Sequence, residues 1–411
     1  MPRISTENIK STKALMRTLF SFELIFVLFI FAGRFKADPR LSWIPFDLTV
    51  FFYVLSLIIG LALLLKRRRL LTRNLIALLL MLLFSSWLVS TLSWTPMTEY
   101  ALIKAIKIFL FITWSFAVGV LIIGPDLIRL RKFIWLIYMF SFVVALETIR
   151  IHTTSSDVLS LKEVFGGTYL GAGRIVANGL VISAMKYLAA SHVLHKAIHI
   201  LLASIFFMAL ILVGSRGPFI FALLTIVVAF FTYGRKGIFH LLLIAIGGIF
   251  FGMGLLSSTD HNFLTLQRLL YLQEGVHYDT STSGRIDRIN FALSQINRSP
   301  IIGEGIGSFY ANFPSAFPER DYAHNLFLEL WGETGAIALA LLLALFLMAA
   351  INLLNAKNFL YYEHHVIVWL LMNAFLNAMV SGDVTDNRFL FALLGVVNGI
   401  GGAVRRDEKD G

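Results

Sequence analysis

Arginines and one histidine stand in four polar segments that lie far apart along the chain. They are Arg216, Arg285 with Arg288, His324 and Arg388. The guanidinium group keeps its charge and donates paired hydrogen bonds to phosphate oxygens. The imidazole group takes up a proton near neutral pH. Together these residue types predict a site for a phosphate or diphosphate, with a histidine that acts as a base.

Each of these residues also has a simpler interpretation. Arg216 could reach the membrane surface from the end of a span, and Arg285 and Arg288 could be solvated charges of a loop. His324 could cap the helix that follows it, and Arg388 could pair with a neighbouring aspartate. All four segments are predicted on the same membrane face, however, and this convergence favours a common site.

A polar stripe follows the histidine. Asn325, Glu329 and Glu333 are spaced four apart and share one face of a predicted helix. This stripe predicts either the lining of a cavity or hydrogen bonds between helices inside a bundle. Lys104 and Lys107 interrupt another apolar run, where they could face an anionic headgroup or reach the membrane surface.

The composition indicates an integral membrane protein. Of the 411 residues, 58% are hydrophobic and 14% are charged, and the mean hydropathy is +0.79. The net charge of +11 is spread over short connections, which favours membrane orientation and contact with anionic lipid over nucleic acid. No cysteine is present, no nucleotide-binding loop is recognisable, and no acidic cluster has the spacing of metal ligands. We therefore expect no metal and no other cofactor.

Apolar runs long enough to cross a bilayer predict about twelve transmembrane helices in an all-α fold. The predicted spans are Leu19–Ala32, Leu48–Leu65, Leu75–Trp94, Ala101–Ile123, Phe133–Ile149, Ile175–Ala190, Ala197–Val213, Phe219–Tyr233, Ile238–Leu256, Leu326–Ala350, Val366–Val380 and Phe389–Val404.

The basic connections all fall on one side of this topology, which predicts that both termini are cytoplasmic. The predicted organisation is nine spans in residues 1–256, one large outer loop at 257–323, and three spans with a cytoplasmic tail in 324–411. A second, shorter outer loop is predicted at 150–174. Pro300 and the glycines of Gly303-Glu304-Gly305-Ile306-Gly307 predict turns within the large loop.

Several motifs occur in an order that resembles the O-antigen ligase and polymerase superfamily of bacterial inner-membrane glycosyltransferases. They are Gly214-Ser215-Arg216-Gly217, Ser283-Gly284-Arg285, Pro300 followed by residues 303–309, and His324-Asn325 with Glu329 and Gly332-Glu333-Thr334-Gly335. The resemblance covers most of the chain. Members of the family often carry a tryptophan four residues after the loop arginine. This chain has Ile289 there, so the choice between Arg285 and Arg288 stays open.

The resemblance implies an enzyme of the Gram-negative inner membrane whose active site faces the periplasm. The implied reaction is a metal-independent, inverting transfer of O-antigen glycan from undecaprenyl diphosphate to lipid A–core, which completes lipopolysaccharide. In this scheme Arg216 and Arg285 bind the donor diphosphate and His324 is the base, while Arg288 and Arg388 are further candidates for the diphosphate. The implied partners are the lipid-linked donor, the lipid A–core acceptor and membrane lipids.

Two other functions remain open. A polymerase of the same superfamily would join one lipid-linked repeat to another, although polymerases commonly have two large outer loops. A twelve-span transporter would place polar residues along a path at the membrane midplane. In this chain the polar residues are predicted at one face instead.

Overall fold

The computed structural model describes residues 21–66, 71–96, 98–154, 163–232, 264–265, 268, 280–313, 321–355 and 361–400. These residues are mostly helical and include no β-strand, which confirms the all-α prediction for this part of the chain. The predicted ninth span, Ile238–Leu256, lies outside the described residues.

The helices of the described part are numbered here in chain order. They are α1 Phe22–Phe31, α2 Leu48–Leu65, α3 Thr72–Ser90, α4 Glu99–Ile123, α5 Leu127–Thr154, α6 Tyr169–Ala189, α7 Val193–Leu212, α8 Arg216–Thr232, α9 Thr280–Arg298, α10 Ser308–Asn312, α11 Leu326–Leu354, α12 Tyr362–Ala378 and α13 Arg388–Gly399. Helix α4 includes two π-helical turns, Ile108–Ile112 and Gly119–Ile123.

Six of the described helices are long and apolar enough to cross a membrane, namely α2, α3, α4, α5, α7 and α11. Helices α8 and α13 are apolar but shorter, and the total of twelve spans stays a prediction. Some helices extend beyond the predicted spans because their polar ends are paired. Helix α5 includes Arg129 and Arg131, which form ion pairs with Glu23 of α1 and Glu363 of α12.

The short helix α13 lies at the centre of the bundle. Every residue from Leu390 to Gly399 is buried, and the helix packs against α3, α4, α11 and α12. Glycine makes the approach to α4 possible, because a Cβ on Gly395 would lie 2.3 Å from the carbonyl oxygen of Phe116. Small residues at such contacts let helix backbones pack closely.

Helix α11 is broken at Gly335, whose backbone is left-handed at φ 78° and ψ 178°. The segment that begins at Pro300 lies against the break and bonds to its freed backbone groups. The carbonyl of Pro300 accepts from Ala336 N–H at 3.0 Å, and Gly305 N–H donates to the carbonyl of Glu333 at 2.7 Å. A broken helix at membrane depth requires such internal partners.

The glycines of this segment lie in non-helical turns, as the sequence predicts. Gly303, Gly305 and Gly307 all have positive φ, between 73° and 98°. An added Cβ on Gly303 would lie 2.3 Å from the carbonyl oxygen of Glu333, and one on Gly335 would lie 2.0 Å from that of Ile301. The glycine-rich motifs therefore fit two parts of one structure, the inserted segment and the break that it covers.

Candidate active site

Arg216 is the first residue of α8 and follows a tight turn at Gly214, where φ is 80°. Its guanidinium Nη1 donates to the backbone carbonyl of Arg268 at 2.9 Å. The preceding residue, Ser215, is buried, and its hydroxyl has no hydrogen-bond partner among the described residues. A buried hydroxyl without a partner is a candidate contact for a ligand.

Arg268 was not singled out by the sequence, yet it joins this group. Its Nη1 donates to the carbonyl of Gly214 at 2.7 Å, and its guanidinium lies 5.4 Å from the ring centre of Tyr169. Arg216 and Arg268 thus exchange hydrogen bonds across the turn that starts α8. In the sequence Arg268 stands in a long connection without a motif, so no pattern distinguishes it from a solvated charge.

Arg285 lies near the start of α9 and forms no ion pair with a carboxylate among the described residues. Burial lowers the pKa of its guanidinium, and repulsion from Arg216 and Arg268 lowers the pKa further, while the hydroxyl of Tyr169 opposes this. The structure therefore brings Arg285 to the Arg216–Arg268 pair as an additional cation.

Arg288, one turn further along α9, has a different environment. Its Nε and Nη2 donate to the two carboxylate oxygens of Asp321 at 2.6 and 2.8 Å, and its Nη1 donates to the carbonyl of Gly284. The guanidinium also lies over the ring of Phe313. Such a bidentate pair fixes the guanidinium group in one orientation, and here it holds α9 against the segment that leads to His324.

His324 stands at a left-handed position, with φ 56°, immediately before the residue that caps α11. Its ring packs on Tyr322 at a centroid distance of 4.3 Å, and its Nδ1 is buried without a hydrogen-bond partner in the described structure. Burial lowers the pKa of the imidazole to about 4, with further lowering by Arg285, Arg288 and Arg174, whereas Asp321 opposes this. His324 is therefore neutral at pH 7 and has a ring nitrogen available to a ligand.

Arg388 lies apart from the loop arginines. Together with Arg34 and Arg174 it lines a cavity of about 80 Å³, called here the three-arginine cavity. Its Nη1 donates to the carbonyl of Phe29 at 2.8 Å. Arg174 connects the two groups, because it is repelled both by Arg34 and by Arg285. Neither Arg34 nor Arg174 was predicted from the sequence.

The polar stripe of α11 divides into two roles. Asn325 caps the helix by accepting from the N–H groups of Phe327 and Leu328, and its Nδ2 donates to the carbonyl of Met379. Glu329 and Glu333 are buried instead.

Both glutamates contact Lys104 of α4, whose ammonium lies 2.6 Å from Glu329 and 2.7 Å from Glu333. Asp383 lies 3.8 Å from the same ammonium and accepts from the hydroxyl of Tyr100. We call these five residues the Lys104 cluster. These contacts are the helix–helix interactions that the sequence offered as one of two interpretations. Lys107 is exposed.

The arrangement offers positive charge and a neutral base side by side. Arg216, Arg268 and Arg285 present guanidinium groups to one another, and His324 lies within the electrostatic reach of Arg285. Within the described ranges, no group of three His, Asp or Glu side chains is placed to hold a metal ion. Chemically, such a site can bind an anion and accept a proton from a neighbouring hydroxyl.

The apolar helices and the grouping of arginines with one histidine define a multi-pass membrane protein with a polar site at one end of its helices. A family model described as O-antigen ligase matches residues 201–343, from α7 into α11. This match confirms the predicted resemblance, supports assignment of the chain to the O-antigen ligase and polymerase superfamily, and indicates a glycosyltransferase-like enzyme. The matched range includes Arg216, Arg285 and His324. A comparison with curated proteins gives no match.

Proposed function

We propose that this protein transfers O-antigen glycan from undecaprenyl diphosphate to lipid A–core at the periplasmic face of the Gram-negative inner membrane. The observation that carries the proposal is the free Nδ1 of neutral His324 beside the cation of Arg285. A glycosyl transfer from a lipid diphosphate needs a base for the acceptor hydroxyl and positive charge for the leaving group. The family match supports the same class of reaction.

The donor diphosphate is assigned to Arg216 and Arg285. Arg285 is half-buried and forms no ion pair in the described structure, so its fork is open to an anion. Of the two further candidates, Arg288 remains a predicted ligand of the diphosphate, whereas Arg388 lies in the separate three-arginine cavity. Asp321 already engages the fork of Arg288, which favours a contribution of Arg288 through charge and positioning.

The proposed reaction breaks the bond between the anomeric carbon and the phosphate oxygen. The acceptor oxygen attacks that carbon from the opposite face, so the configuration inverts, and His324 takes the proton of the hydroxyl. Undecaprenyl diphosphate leaves with the bonding electron pair and gains one negative charge. Arg216 and Arg285 stabilise this charge where it develops, so the proposed reaction uses no metal ion.

The decisive experiment is reconstitution of the purified protein with undecaprenyl-diphosphate-linked glycan. One reaction receives lipid A–core, a second receives only a further lipid-linked glycan, and both contain a chelator of divalent metals. We expect extension of lipid A–core. Extension of the lipid-linked glycan alone would instead identify a polymerase, and extension of neither would leave the transport hypothesis.

Single variants test the assigned roles. His324→Ala should stop turnover and leave donor binding largely intact, while Arg216→Ala should abolish transfer without loss of membrane insertion. His195→Ala and Arg150→Gln are matched controls, because both side chains are exposed and lie outside the site. Near-normal transfer by purified Arg216→Ala would refute the role of Arg216 in binding the diphosphate. Loss of donor binding alone in His324→Ala would refute the role of His324 as the base.

A further inference from the structure

The three-arginine cavity lies between α1, α6, α12 and the start of α13, and the proposed reaction leaves it without a role. Its volume of about 80 Å³ is several times the roughly 10–15 Å³ that one water needs. Apolar side chains, among them Ile175 and Leu390, form part of its wall, and four asparagines line it as well. The cavity therefore has the size and the polarity for a phosphate-sized group.

Each of the three guanidinium groups lies directly against a glycine. An added Cβ would meet Arg34 at 2.6 Å if placed on Gly171, Arg388 at 2.9 Å on Gly33, and Arg174 at 3.0 Å on Gly382. A larger residue at any of these positions would displace a cation of the cavity. The three glycines, which have no side chain, thus leave the space that the three guanidinium groups occupy.

The charges of the cavity are not balanced. Arg34, Arg174 and Arg388 carry three positive charges, and the acid that lines the cavity is Asp386. None of the three arginines forms an ion pair with a carboxylate among the described residues. The three arginines are partly buried, where uncompensated charge is costly, and two negative charges would neutralise the remainder.

Most donors of the cavity also remain available. Arg174 donates through Nη2 to the carbonyls of Asn377 and Ser381, and Arg388 donates through Nη1 to Phe29. A guanidinium carries five N–H donors, so each fork has donors left for an anion. Arg34 donates no side-chain hydrogen bond within the described part of the chain.

We propose that the three-arginine cavity is a second anion subsite, which binds a phosphate group carried by a lipid other than the reacting donor. No histidine is among the described residues that line it, so the cavity binds an anion without the base that the reaction requires. Arg174 is repelled by both Arg34 and Arg285, and through this repulsion it couples the two subsites. The inference rests on the proposed function in one respect, since the donor diphosphate is assigned to the loop arginines.

Binding stoichiometry tests this proposal. Labelled inorganic diphosphate serves as the probe, with the purified full chain in nanodiscs of neutral lipid. The wild type should bind two equivalents, and R34Q/R388Q and Arg285→Gln should each bind one. The control Arg150→Gln should bind two. One equivalent in the wild type, or two in R34Q/R388Q, would overturn the proposal.

A milder variant keeps the test valid if the double variant R34Q/R388Q does not fold. Gly171→Ala keeps every charge but pushes the flexible end of Arg34 from its place. It should weaken the affinity of the cavity for diphosphate roughly tenfold to a hundredfold, the scale of one charge-assisted hydrogen bond. The affinity for the diphosphate bound at Arg285 should stay unchanged. An unaltered affinity at both subsites would contradict the proposal.

Two lipids could supply the phosphate, and competition separates them. Phosphatidylglycerol in the nanodisc, or lipid A–core, should displace one equivalent from the wild type and from Arg285→Gln but none from R34Q/R388Q. Displacement by neither would overturn the assignment to a lipid phosphate. A chain that binds two equivalents but transfers no glycan would contradict the proposed function alone, and transfer with one equivalent would contradict this inference alone.

Discussion

The imidazole of His324 is surrounded by positive charge, although a base at this position has to accept a proton. In the absence of substrate, burial and the repulsion from Arg285, Arg288 and Arg174 hold its pKa at about 4. A bound diphosphate would bring negative charge to these arginines and reduce that repulsion. The donor would then raise the basicity of the group that acts on the acceptor.

This coupling predicts two different acid limits for activity. Transfer needs neutral His324, so activity falls as the pH drops through its pKa. The pH profile of kcat/KM reports the free enzyme and that of kcat reports the complex. We expect the acid midpoint of kcat to lie between about 4 and 6.5, above the midpoint of kcat/KM. Identical midpoints would contradict the coupling, and His195→Ala should leave both unchanged.

The two arginines of α9 should respond differently to the same substitution. Arg288→Gln leaves the buried carboxylate of Asp321 without its bidentate partner, at a cost of up to roughly 3–5 kcal/mol. Arg285→Gln removes repulsion and breaks no ion pair, so it should abolish transfer at an unchanged melting temperature. Thermal unfolding of the purified variants compares them. Stable but inactive Arg288→Gln would make Arg288 the diphosphate ligand instead.

At the scale of elements, the Lys104 cluster holds three parts of the bundle together. The ammonium of Lys104 on α4 contacts both glutamates of α11, and Glu329 also accepts from the N–H of Val384, in the loop that precedes Arg388. The side chains of Lys104 and Glu329 are at most 1% exposed. The cluster therefore fixes the loop that precedes α13 relative to α11, the helix that follows His324.

Loss of the ammonium should cost more than loss of one carboxylate. Lys104→Met leaves buried carboxylates without a counter-ion, which should destabilise the fold by roughly 3–5 kcal/mol. Glu333→Gln keeps an acceptor for Lys104 and removes one negative charge, so its effect should be smaller. Lys107→Met, at an exposed position of the same helix, is the matched control. Melting temperatures in detergent would rank the three, and equal values for Lys104→Met and Lys107→Met would contradict this.

At the scale of the whole molecule, polar contacts join the helices at both ends of the bundle. At one end Arg73 of α3 bonds to Asn352 near the end of α11 and to the carbonyl of Ile400 after α13. The other end carries the residues before α11 and α13, with His324 and Arg388. The distribution of basic residues predicts that the second end faces the periplasm.

Single cysteines test this orientation cleanly because the chain has none of its own. Ser42 and Ser191 are both exposed, and the predicted topology places their connections on opposite sides of the membrane. Ser42→Cys should react with a membrane-impermeant maleimide in intact cells whose outer membrane is permeabilised, and Ser191→Cys should react only after lysis. The reverse pattern would place the active site in the cytoplasm and exclude the proposed acceptor reaction.

The sequence by itself predicted an all-helical membrane protein and named candidate residues for the site. Apolar runs require helices in a bilayer, because backbone polar groups must be paired internally. The order of short motifs around Arg216, Arg285 and His324 was sufficient to predict the resemblance that the family model supports over residues 201–343. Turns at the glycines of 303–307 were also predicted from the sequence, and the structure adds that these glycines have positive φ, which glycine adopts readily.

Only the tertiary structure decided which groups each of these residues contacts. It placed Arg288 on Asp321, Arg388 with Arg34 and Arg174, and the glutamates of α11 on Lys104. Arg34, Arg174 and Arg268 carry no motif, because a guanidinium acquires its role from the groups that surround it. Ion pairs and cavities form between segments up to hundreds of residues apart, and local sequence patterns contain no information about which distant charge a given arginine will meet.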